Sequence, residues 1–439
     1  MPWYNKVMFD FKQYVRRRLE KYVVKYFKRH HPILVVVVGA VGKTTTKNAI
    51  ATVLAQRFKV RMEPTNLNSE MSVPTTLLGV KYPKPAELKT ITAWMRVFKA
   101  MRNVIKAKST VDVIVQELAT DKPGDIAAFG NYLHADIAVV TAVAEEHMEN
   151  FPGGLNDVAR EELSVGKFSK SVLINQDAVS HDYWQLTQNP NILTYGVNEG
   201  QYHFRKISGN PLSGYDVDIS GVAANVKYVG EYNMGAAVAA VAVAMQLNMT
   251  HDEIQAGLSN LVPVSGRMNP LHGRKDTILL DDTYNSSPIA AIAALDTLYK
   301  IEAPQRIAVL GSMNELGNMS PMAHSQVGMA CDPKKLDMVI TVGDEAARYL
   351  APAAQKRGCQ VFKFPGAIMA GTFVSQHMEP HAVILIKGSQ NGIFTEETTK
   401  MLLDDPADST KLVRQDDDWM YKKRLWFEHI RNVAYNGNE

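Results

Sequence analysis

The strongest constraint on the fold is a buried strand that runs directly into a glycine turn. Residues 33–38 are six apolar, mostly β-branched residues, a run typical of a strand covered on both faces of a parallel sheet. The stretch continues with two glycines, a lysine and two threonines, namely Gly39, Gly42, Lys43, Thr44 and Thr45. A helix that begins there would point its unpaired amides at an anion, so the stretch predicts a phosphate-binding turn.

The residue types in this turn indicate that the anion is a nucleotide. Lys43 supplies a positive charge for the β and γ phosphates, and the Thr44 hydroxyl supplies an oxygen ligand for Mg²⁺. The spacing G-x-x-G-K-T is shorter than the usual G-x-x-x-x-G-K-[ST], because Val37 stands where the first glycine is expected.

Length and composition describe an ordinary globular protein. The chain has 439 residues, enough for two or three domains, with 46% hydrophobic and 21% charged residues. We find no apolar run of membrane-spanning length and no signal peptide, and the two cysteines, Cys331 and Cys359, suggest neither a zinc site nor a disulfide framework. A cytoplasmic location is therefore expected.

The net charge is +3, but it is distributed unevenly. Residues 1–31 carry +7 and the rest of the chain −4, a balance that argues against a nucleic-acid-binding body. Residues 3–28 predict a basic amphipathic helix, since apolar side chains recur there at three- and four-residue spacing: Tyr4, Met8, Phe11, Val15, Leu19, Tyr22 and Tyr26. This helix either packs on the following domain or a partner subunit, or lies on an anionic inner membrane surface.

Strands and helices alternate after Pro32, which predicts a doubly wound parallel sheet. The predicted strands are 33–38, 111–116, 135–141 and 171–174. Ligands in such sheets sit beyond the carboxyl ends of the strands, and Glu117 and the segment 141–149 follow two of these strands directly. We expect residues 191–228 to form a small antiparallel excursion, and residues 236–247 and 251–260 to be helical.

The alternation restarts after the Pro- and Gly-containing stretch 262–270. Predicted strands 277–280, 306–310, 338–342 and 382–386 indicate a smaller, Rossmann-like α/β domain. The predicted organisation is thus a basic helix (1–31), a P-loop-type central ATPase domain (32–265), a carboxy-terminal α/β domain (266–415) and a tail (416–439). Residues 404–439 show no clear period, and we expect the last few to fray.

Several ordered blocks resemble the Mur ligase family, the ATP-dependent amino-acid- and peptide-adding enzymes of peptidoglycan precursor synthesis. The resemblance covers residues 32–415 and is strongest to the D-alanyl-D-alanine-adding type. The blocks are N-x-N-x-E-x-x-x-P at 66–74, D-D-x-Y-N-x-x-P at 281–288, L-G-x-M-x-E-L-G at 310–317 with a histidine at 324, and K-G-S at 387–389.

The resemblance implies a reaction in which ATP phosphorylates a carboxylate and an amine attacks the acyl phosphate. ATP and Mg²⁺ are the implied cofactors, with the Mg²⁺ ligands Thr44, Glu117, His147 and Glu162. The implied catalytic residues are Lys43, His147 and Glu162, and the nucleotide contacts beyond the glycine turn are Asn233, Arg267, Asp282 and Asn285. The implied substrate contacts are Asn66, Asn68, Glu70, Glu315, His324, Lys387 and Ser389.

The sequence departs from the family pattern at several positions. Val38 replaces a threonine, Tyr232 a histidine and Gln390 an arginine, while Glu162 aligns with the lysine that becomes carbamylated. A glutamate there would supply a permanent carboxylate, although a solvated helix residue is the alternative. Only 31 residues precede the predicted central domain, so the family's UDP-sugar-binding domain is expected to be absent. We therefore expect the acyl substrate to be recognised near its peptide end. Any UDP moiety would contribute little or be bound by a partner.

Two other functions remain open at this point. A related amide ligase could act on a different acyl substrate, although the D-Y-A-H block of folylpolyglutamate synthases is not present at 282–285. A non-catalytic nucleotide-binding regulator could instead dock through residues 1–28. The expected partners are accordingly a small-molecule or peptide-nucleotide substrate and, through that helix, a protein or a membrane surface.

Overall fold

The computed structural model describes residues 2–65 and 67–436, and the side chains from 11 to 65 and from 67 to 430. A first sheet contains β1 (Ile33–Val38), β2 (Val60–Met62), β3 (Val113–Glu117), β4 (Ala135–Val140), β5 (Ser169–Asn175), β6 (Ile192–Gly196), β7 (Tyr202–Asn210), β8 (Gly214–Ile219) and β9 (Val222–Val226). Its order is β2-β3-β1-β4-β5-β6-β7-β8-β9, with parallel pairing from β2 to β7 and antiparallel pairing from there to β9.

The helices of this region are α1 (Pro2–His30), α2 (Lys43–Leu54), α3 (Val73–Leu78), α4 (Ile91–Lys106), α5 (Asp125–Phe129), α6 (Leu155–Leu163), α7 (Met234–Gln246) and α8 (His251–Ser259). They cover both faces of the sheet. The side chains of Leu34, Val36 and Val38 face α1, α3 and α4, whereas Val35 and Val37 face α2, α7 and α8. This two-sided burial explains why β1 is continuously apolar instead of alternating.

A second sheet contains β10 (Asn269–Gly273), β11 (Thr277–Asp282), β12 (Arg306–Gly311), β13 (Met338–Val342), β14 (Val361–Phe364) and β15 (Val383–Lys387). Its order is β10-β11-β15-β12-β13-β14, parallel except for β10. Its helices are α9 (Pro288–Tyr299), α10 (Ser320–Ala330), α11 (Ala351–Lys356) preceded by a π-helical turn (Ala346–Leu350), α12 (Ala367–His377), α13 (Glu396–Leu402) and α14 (Asp417–Asn436). The predicted boundary stretch 262–270 connects α8 to the second sheet, and its last two residues already belong to β10.

Short 3₁₀ helices complete the connections, at Pro85–Glu87, Met148–Asn150, Ser164–Phe168, His181–Thr187, Glu231–Asn233, Arg274–Asp276, Gly317–Met319 and Pro406–Lys411. Among the described residues, no helix is long and apolar enough to cross a membrane.

The predicted doubly wound architecture with a second α/β region is confirmed. The predicted strands and helices are present, with ends that differ by one or two residues. The edge strands β2, β10 and β14 were not predicted: β2 and β14 have only three and four residues, and β10 contains a proline and no apolar run. The antiparallel excursion begins at β7 and not at residue 191, since β6 pairs in parallel with β5.

Helix α1 packs on the following domain, as one of the two sequence interpretations expected. Val15, Leu19, Val23 and Tyr26 are almost completely buried against the sheet face that carries Leu34. Burying an aliphatic or aromatic side chain contributes about 1.5–3 kcal/mol, so α1 is part of the hydrophobic core. Of the residues that define the predicted period, Tyr4 and Met8 lie where the side chains are not described.

The structure corrects the expectation for the carboxy-terminal segment, because α14 is a regular helix packed on the second domain. Its inward positions recur at four-residue spacing, with Trp419 against Phe394, Lys423 at the buried Glu396 and Phe427 against the core. The period escaped sequence analysis because the central position is a lysine. The expected fraying falls on residues 437–439, outside the described residues.

Candidate functional site

The glycine turn after β1 is shaped by close contacts with the neighbouring strand end. Gly39 has φ 120° and a Cβ there would collide with the hydroxyl of Thr141, so this position requires glycine. Gly42 has φ 87° and starts α2 without a side-chain cap, which leaves amides of the first helical turn directed at the adjacent cavity. The turn therefore has the geometry of an anion site.

Lys43 stands at the mouth of this turn with a small exposed fraction. Its Nζ lies 3.3 Å from Glu146 Oε2 and 3.4 Å from the carbonyl oxygen of Ala40. Burial opposes its charge, but the carboxylates of Glu146, Glu162 and Glu117 outweigh burial and raise the pKa of Lys43. The ammonium group is therefore kept charged where phosphates would bind.

Thr44 and Glu117 are brought together at the carboxyl ends of two neighbouring strands. The Thr44 hydroxyl donates to Glu117 Oε2 at 3.0 Å, and Asn68 Nδ2 donates to the other carboxylate oxygen at 2.9 Å. The buried Lys47 lies 3.8 Å from Glu117 and donates to the carbonyls of Glu63 and Thr65. A hydroxyl beside one carboxylate fits Mg²⁺, which takes oxygen ligands and usually keeps phosphates and water in its shell.

Glu162 lies behind the phosphate turn and does not line the cavity that contains Thr44, Glu117 and His147. Its Oε2 accepts the amide hydrogen of Gly39 at 2.8 Å, and only 2% of the residue is exposed. Burial raises the pKa of Glu162 to about 7, although Lys43 and the Gly39 amide act in the opposite direction. The geometry thus gives Glu162 a contact with the turn, and the structure does not bring it to the expected metal position.

His147 contacts the second domain. It has φ 51°, and its Nδ1 lies 3.0 Å from Glu315 Oε2, while the Met148 amide donates to the Glu315 carbonyl at 3.0 Å. Nε2 lies 3.7 Å from Asp121 Oδ1. Burial lowers the pKa of His147, but the hydrogen bond to Glu315 and the nearby carboxylates outweigh it, so the pKa is raised.

Two adjacent cavities meet at the phosphate turn. A cavity of about 470 Å³ lies between α2, α7 and α9, and a cavity of about 260 Å³ lies between the turn and the second domain. Residues that line the larger one include Thr45, Asn175, Asp177, Tyr232, Asn233 and Asp282. Those that line the smaller one include Lys43, Thr44, Asn68, Glu117, Asp121, Glu146, His147, Asn285, Glu315 and Gln390. Val41, Gly42, Arg267 and Ala290 line both, so the two cavities form one continuous cleft.

Arg267 lies where the two cavities join. Its guanidinium carbon is 4.2 Å from the ring centroid of Tyr284, and within the described part of the chain its buried Nε has no hydrogen-bond partner. A buried donor without a partner is costly, which is consistent with a site for an anionic ligand. Arg414 holds the same loop by donating to the carbonyls of Thr283 and Tyr284.

Asp282 and Lys387 form a buried ion pair in the second domain. Lys387 Nζ lies 2.7 Å from Asp282 Oδ2 and donates to the Asn285 carbonyl at 3.0 Å. Both residues also border the larger cavity. Burial lowers the pKa of Lys387 in spite of its partner. Lys387 is therefore placed to hold the loop that contains Asn285.

His324 and Ser389 are completely buried beneath the loop after β12. Nε2 of His324 accepts the Met313 amide hydrogen at 2.9 Å, and its Nδ1 lies 2.8 Å from the Ser320 carbonyl. Burial lowers the pKa of this histidine. The Ser389 hydroxyl accepts the Asn314 amide hydrogen at 3.1 Å. The structure places these predicted substrate residues inside the protein, where they support the loop that presents Glu315.

Glu70 is engaged by the amino-terminal helix. Its carboxylate lies 3.1 Å from Lys12 and 3.1 Å from Arg16, and these contacts lower its pKa against the opposing effect of burial. Of the other residues in this predicted substrate block, Asn68 bonds Glu117 and Asn66 lies outside the described residues.

Sequence reasoning assigned no role to two carboxylates of the cleft, Glu146 and Asp121, although Glu146 belongs to the segment 141–149 that was noted as following a strand. Glu146 immediately precedes His147, and Asp121 follows β3 by four residues, so both lie in loops that follow strand ends. Position after a strand was the signal that could have identified them. It also missed Glu161, which accepts the amide hydrogens of Gly124 and Ile126, both at 2.6 Å, and so fixes the start of α5.

Several bacterial ligases are similar in sequence to this chain over most of its length. It is 26% identical over 379 residues to the UDP-N-acetylmuramoyl-tripeptide–D-alanyl-D-alanine ligase of Synechocystis sp., covering 84% of this chain and 75% of that one. It is 28% identical over 323 residues to the Escherichia coli enzyme of the same name, covering 71% and 65%. The chain thus spans about two thirds to three quarters of these relatives.

Solved structures share the fold. MurF from Acinetobacter baumannii superposes with a TM-score of 0.72 at 22% identity, covering 90% of this chain and 80% of that one. MurF from Thermotoga maritima, solved in complex with ADP, gives 0.71 at 22% identity, covering 88% and 83%.

Family models match both parts of the chain. The Mur ligase middle domain matches residues 37–244, and the Mur ligase glutamate ligase domain matches residues 266–390. The two matches follow one another in the chain and coincide with the two sheets that enclose the cleft. The chain therefore belongs to the Mur ligase family, with a middle domain followed by a glutamate ligase domain.

Proposed function

We propose that this chain is an ATP-dependent ligase that joins a peptide carboxylate to a small amine through an acyl phosphate. The observation that carries the proposal is the continuous cleft, which runs from a nucleotide-sized cavity past Gly42 and Arg267 to a smaller cavity lined by Lys43 and Glu117. In such a cleft the phosphates, the carboxylate and the amine can be held next to one another, and positioning supplies much of the catalysis.

In the first step, the carboxylate attacks the γ phosphorus of ATP, and ADP leaves. The α2 amides, Lys43 and Arg267 are the groups that would hold the phosphates and neutralise their charge. Thr44 and Glu117 are the residues that would hold Mg²⁺, which when bound adds charge neutralisation on phosphate oxygens. The Lys43–Glu146 contact at 3.3 Å then gives way to a contact with phosphate.

In the second step, the amine attacks the acyl carbon, inorganic phosphate leaves and the amine nitrogen loses a proton. The carboxylates of Asp121 and Glu315 and the side chain of His147 line the half of the cleft beside the second domain. We propose that this acidic region binds the incoming amine as an ammonium ion. One of its carboxylates takes a proton before the attack, and the leaving phosphate takes the proton released when the amide forms. His147 would also serve as the expected second cation ligand through Nε2, because its Nδ1 is held by Glu315.

In this proposal the remaining site residues either contact the nucleotide or hold the loops of the cleft in place. Asn233, Asp282 and Asn285 contact the nucleotide, and Glu162 positions the phosphate turn through Gly39. His324, Lys387 and Ser389 position the second-domain loops, and Glu70, together with α1, positions the loop that contains Asn68. The substrates are a peptidoglycan-precursor-like peptide and D-alanyl-D-alanine or a similar amine, by similarity to the relatives.

The test is phosphate release and product mass with a panel of carboxylates and amines. A UDP-sugar tripeptide and the same peptide without UDP are each incubated with D-alanyl-D-alanine and ATP, using Lys43→Ala as the inactive control. The proposal expects a ligated product and one phosphate per amide bond. A folded enzyme that binds ATP but releases no phosphate with any pair would support the regulatory alternative and refute ligation.

The choice of acyl substrate is a separate outcome of the same panel. Gln390 borders the smaller cavity with a neutral amide where the family pattern has an arginine. We propose that the peptide end is recognised and that UDP contributes little. A strong preference for the UDP form would overturn that part, and products with other peptides only would move the proposal to a related amide ligase.

A further inference from the structure

The face of the first domain that carries α1 and α4 is strongly cationic. Residues 11–30 contain eight lysines and arginines against one glutamate, and residues 81–108 again contain eight against one. These two segments together carry +14, whereas the whole chain carries +3, so the remaining residues carry −11. More than the entire net positive charge is therefore gathered in two segments that are distant in sequence.

The fold places these segments side by side. Arg18 lies 5.2 Å from the ring centroid of Phe98, and the Tyr22 and Phe98 ring centroids are 6.0 Å apart. Toward the other end of the helices, His30 Nε2 lies 3.0 Å from the Ile105 carbonyl. Residues near 20 thus face residues near 98 and residue 30 faces residue 105, so α1 and α4 run parallel.

The basic side chains occupy the outer faces of both helices. The exposed ones are Lys12, Arg17, Lys21, Lys25, Lys28 and Arg29 on α1, and Arg96, Lys99, Arg102 and Lys106 on α4. The two acidic residues are already neutralised, because Glu20 lies 3.4 Å from Arg16 and Glu87 lies 2.8 Å from Arg96. We call this two-helix surface the cationic face.

Apolar side chains project from the same surface. Ile91 and Met95, on the first turns of α4, are 64% and 62% exposed, and Tyr14 on α1 is 54% exposed. The parallel register brings Tyr14 level with the start of α4, so the three side chains share one end of the cationic face. Basic residues surrounding exposed apolar side chains are typical of surfaces that lie in a lipid interface.

We propose that the cationic face docks the protein on an anionic phospholipid surface, with α1 and α4 parallel to the membrane. The charge attracts anionic headgroups, and Ile91 and Met95 enter the boundary of the acyl chains. Nucleic acid is less favoured, because two aliphatic side chains gain nothing from a phosphate backbone and stacking on bases relies on aromatic rings. Because α1 and α4 cover the sheet face opposite α2, the docked protein keeps the α2 side of the cleft free.

The proposal is tested by co-sedimentation of the full chain with vesicles. Phosphatidylcholine vesicles containing about a third phosphatidylglycerol are compared with pure phosphatidylcholine at low and high salt, since screening over about 10 Å weakens surface charge at 0.1 M. The test variant combines Lys21→Glu, Lys25→Glu, Lys99→Glu and Arg102→Glu. The matched control reverses four exposed charges in the second domain, by Lys334→Glu, Lys335→Glu, Lys356→Glu and Arg357→Glu.

We expect the unaltered chain to bind only anionic vesicles, and the test variant to bind on the order of 10²-fold more weakly or worse. The control should retain its binding within about threefold, since its charges lie outside the surface. A second variant, Ile91→Ser with Met95→Ser, keeps the charge and should lose binding by about tenfold. Nucleotide binding by each variant shows that it is folded.

Three results would overturn the proposal. One is equal binding to anionic and zwitterionic vesicles. Another is an equal loss of binding in the test variant and the control. The third is tighter binding to a double-stranded RNA or to polyglutamate than to the anionic vesicles at the same salt, which would identify a nucleic acid or an acidic protein as the partner.

Discussion

Two lysines lie at the carboxyl ends of buried strands on opposite sides of the cleft, Lys43 in the turn after β1 and Lys387 as the last residue of β15, and their surroundings differ. Lys43 keeps 14% of its side chain exposed and has a loose contact with Glu146 at 3.3 Å. Lys387 keeps 2% exposed and has a tight contact with Asp282 at 2.7 Å. The first lysine is therefore available to a ligand, whereas the second is committed to the protein. Whether a lysine in a sequence block binds ligand or stabilises the fold therefore depends on how tightly its carboxylate partner holds it.

The largest effect on stability should come from breaking the buried ion pair between Lys387 and Asp282. Lys387→Ala leaves Asp282 buried without its cation, and we expect the free energy of unfolding to fall by about 3–5 kcal/mol. Urea denaturation measures the change. The double variant Asp282→Asn with Lys387→Met removes both charges and should recover much of the loss. An unchanged stability in the single variant would contradict the structural role of this lysine.

Glu162, the carboxylate behind the phosphate turn of Lys43, should make the free energy of unfolding depend on pH. Burial raises the pKa of Glu162 to about 7 from an ordinary value of 4.5, so the folded protein holds a proton that the unfolded chain has lost between these values. The stabilisation from this proton is present below pH 4.5 and is lost as the pH rises toward 7 and above. Glu162→Gln should remove this decline.

The variant should therefore gain up to about 3 kcal/mol in unfolding free energy over the unaltered chain between about pH 5 and about pH 8. Denaturation at several pH values provides the measurement, and Glu145→Gln, at a half-buried neighbour of the cleft, is the control. Parallel pH profiles for the Glu162→Gln variant and the control would show that folding does not raise the pKa of Glu162.

Lys43, which remains accessible to a ligand, should affect the rate of ATP turnover more than the stability of the fold. Lys43→Ala removes a charge from the phosphate turn, and we expect ATP-dependent phosphate release to fall on the order of 10²-fold. The unfolding free energy should change by no more than about 1 kcal/mol, because the contact with Glu146 is loose and partly exposed. If the folded variant releases phosphate at the normal rate, the phosphate turn is not the ATP site.

The smallest expected effect concerns the contact that joins the two sides of the cleft. Glu315 raises the pKa of His147 against the effect of burial, so this pair stabilises the fold below the ordinary histidine pKa and the contribution is lost as the pH rises. Glu315→Gln should lower that pKa and reduce stability by about 1 kcal/mol at acidic pH only. An NMR titration of the imidazole measures the shift, and an unmoved pKa would mean that the pair does not form in solution.

The sequence alone determined the architecture and the phosphate turn. Both depend on local information, since the apolar run 33–38, the two glycines and Lys43 are consecutive and their periodicity identifies a buried parallel strand followed by a helix. The four central strands of the second sheet, β11, β12, β13 and β15, were predicted for the same reason. Where the inward period was interrupted by a charged residue, as at Lys423 in α14, the local signal failed.

Only the tertiary structure decided which polar residues face the cleft. Residues such as Glu162, His324 and Ser389 belong to blocks that look functional, yet their side chains are satisfied inside the protein by partners as much as 123 positions away in the sequence. The sequence indicated only the α1 half of the cationic face. The α4 half was hidden, because the two halves are about 75 residues apart and become one surface only when α1 and α4 pack together. Burial and partner choice arise from long-range packing, and a linear pattern does not contain them.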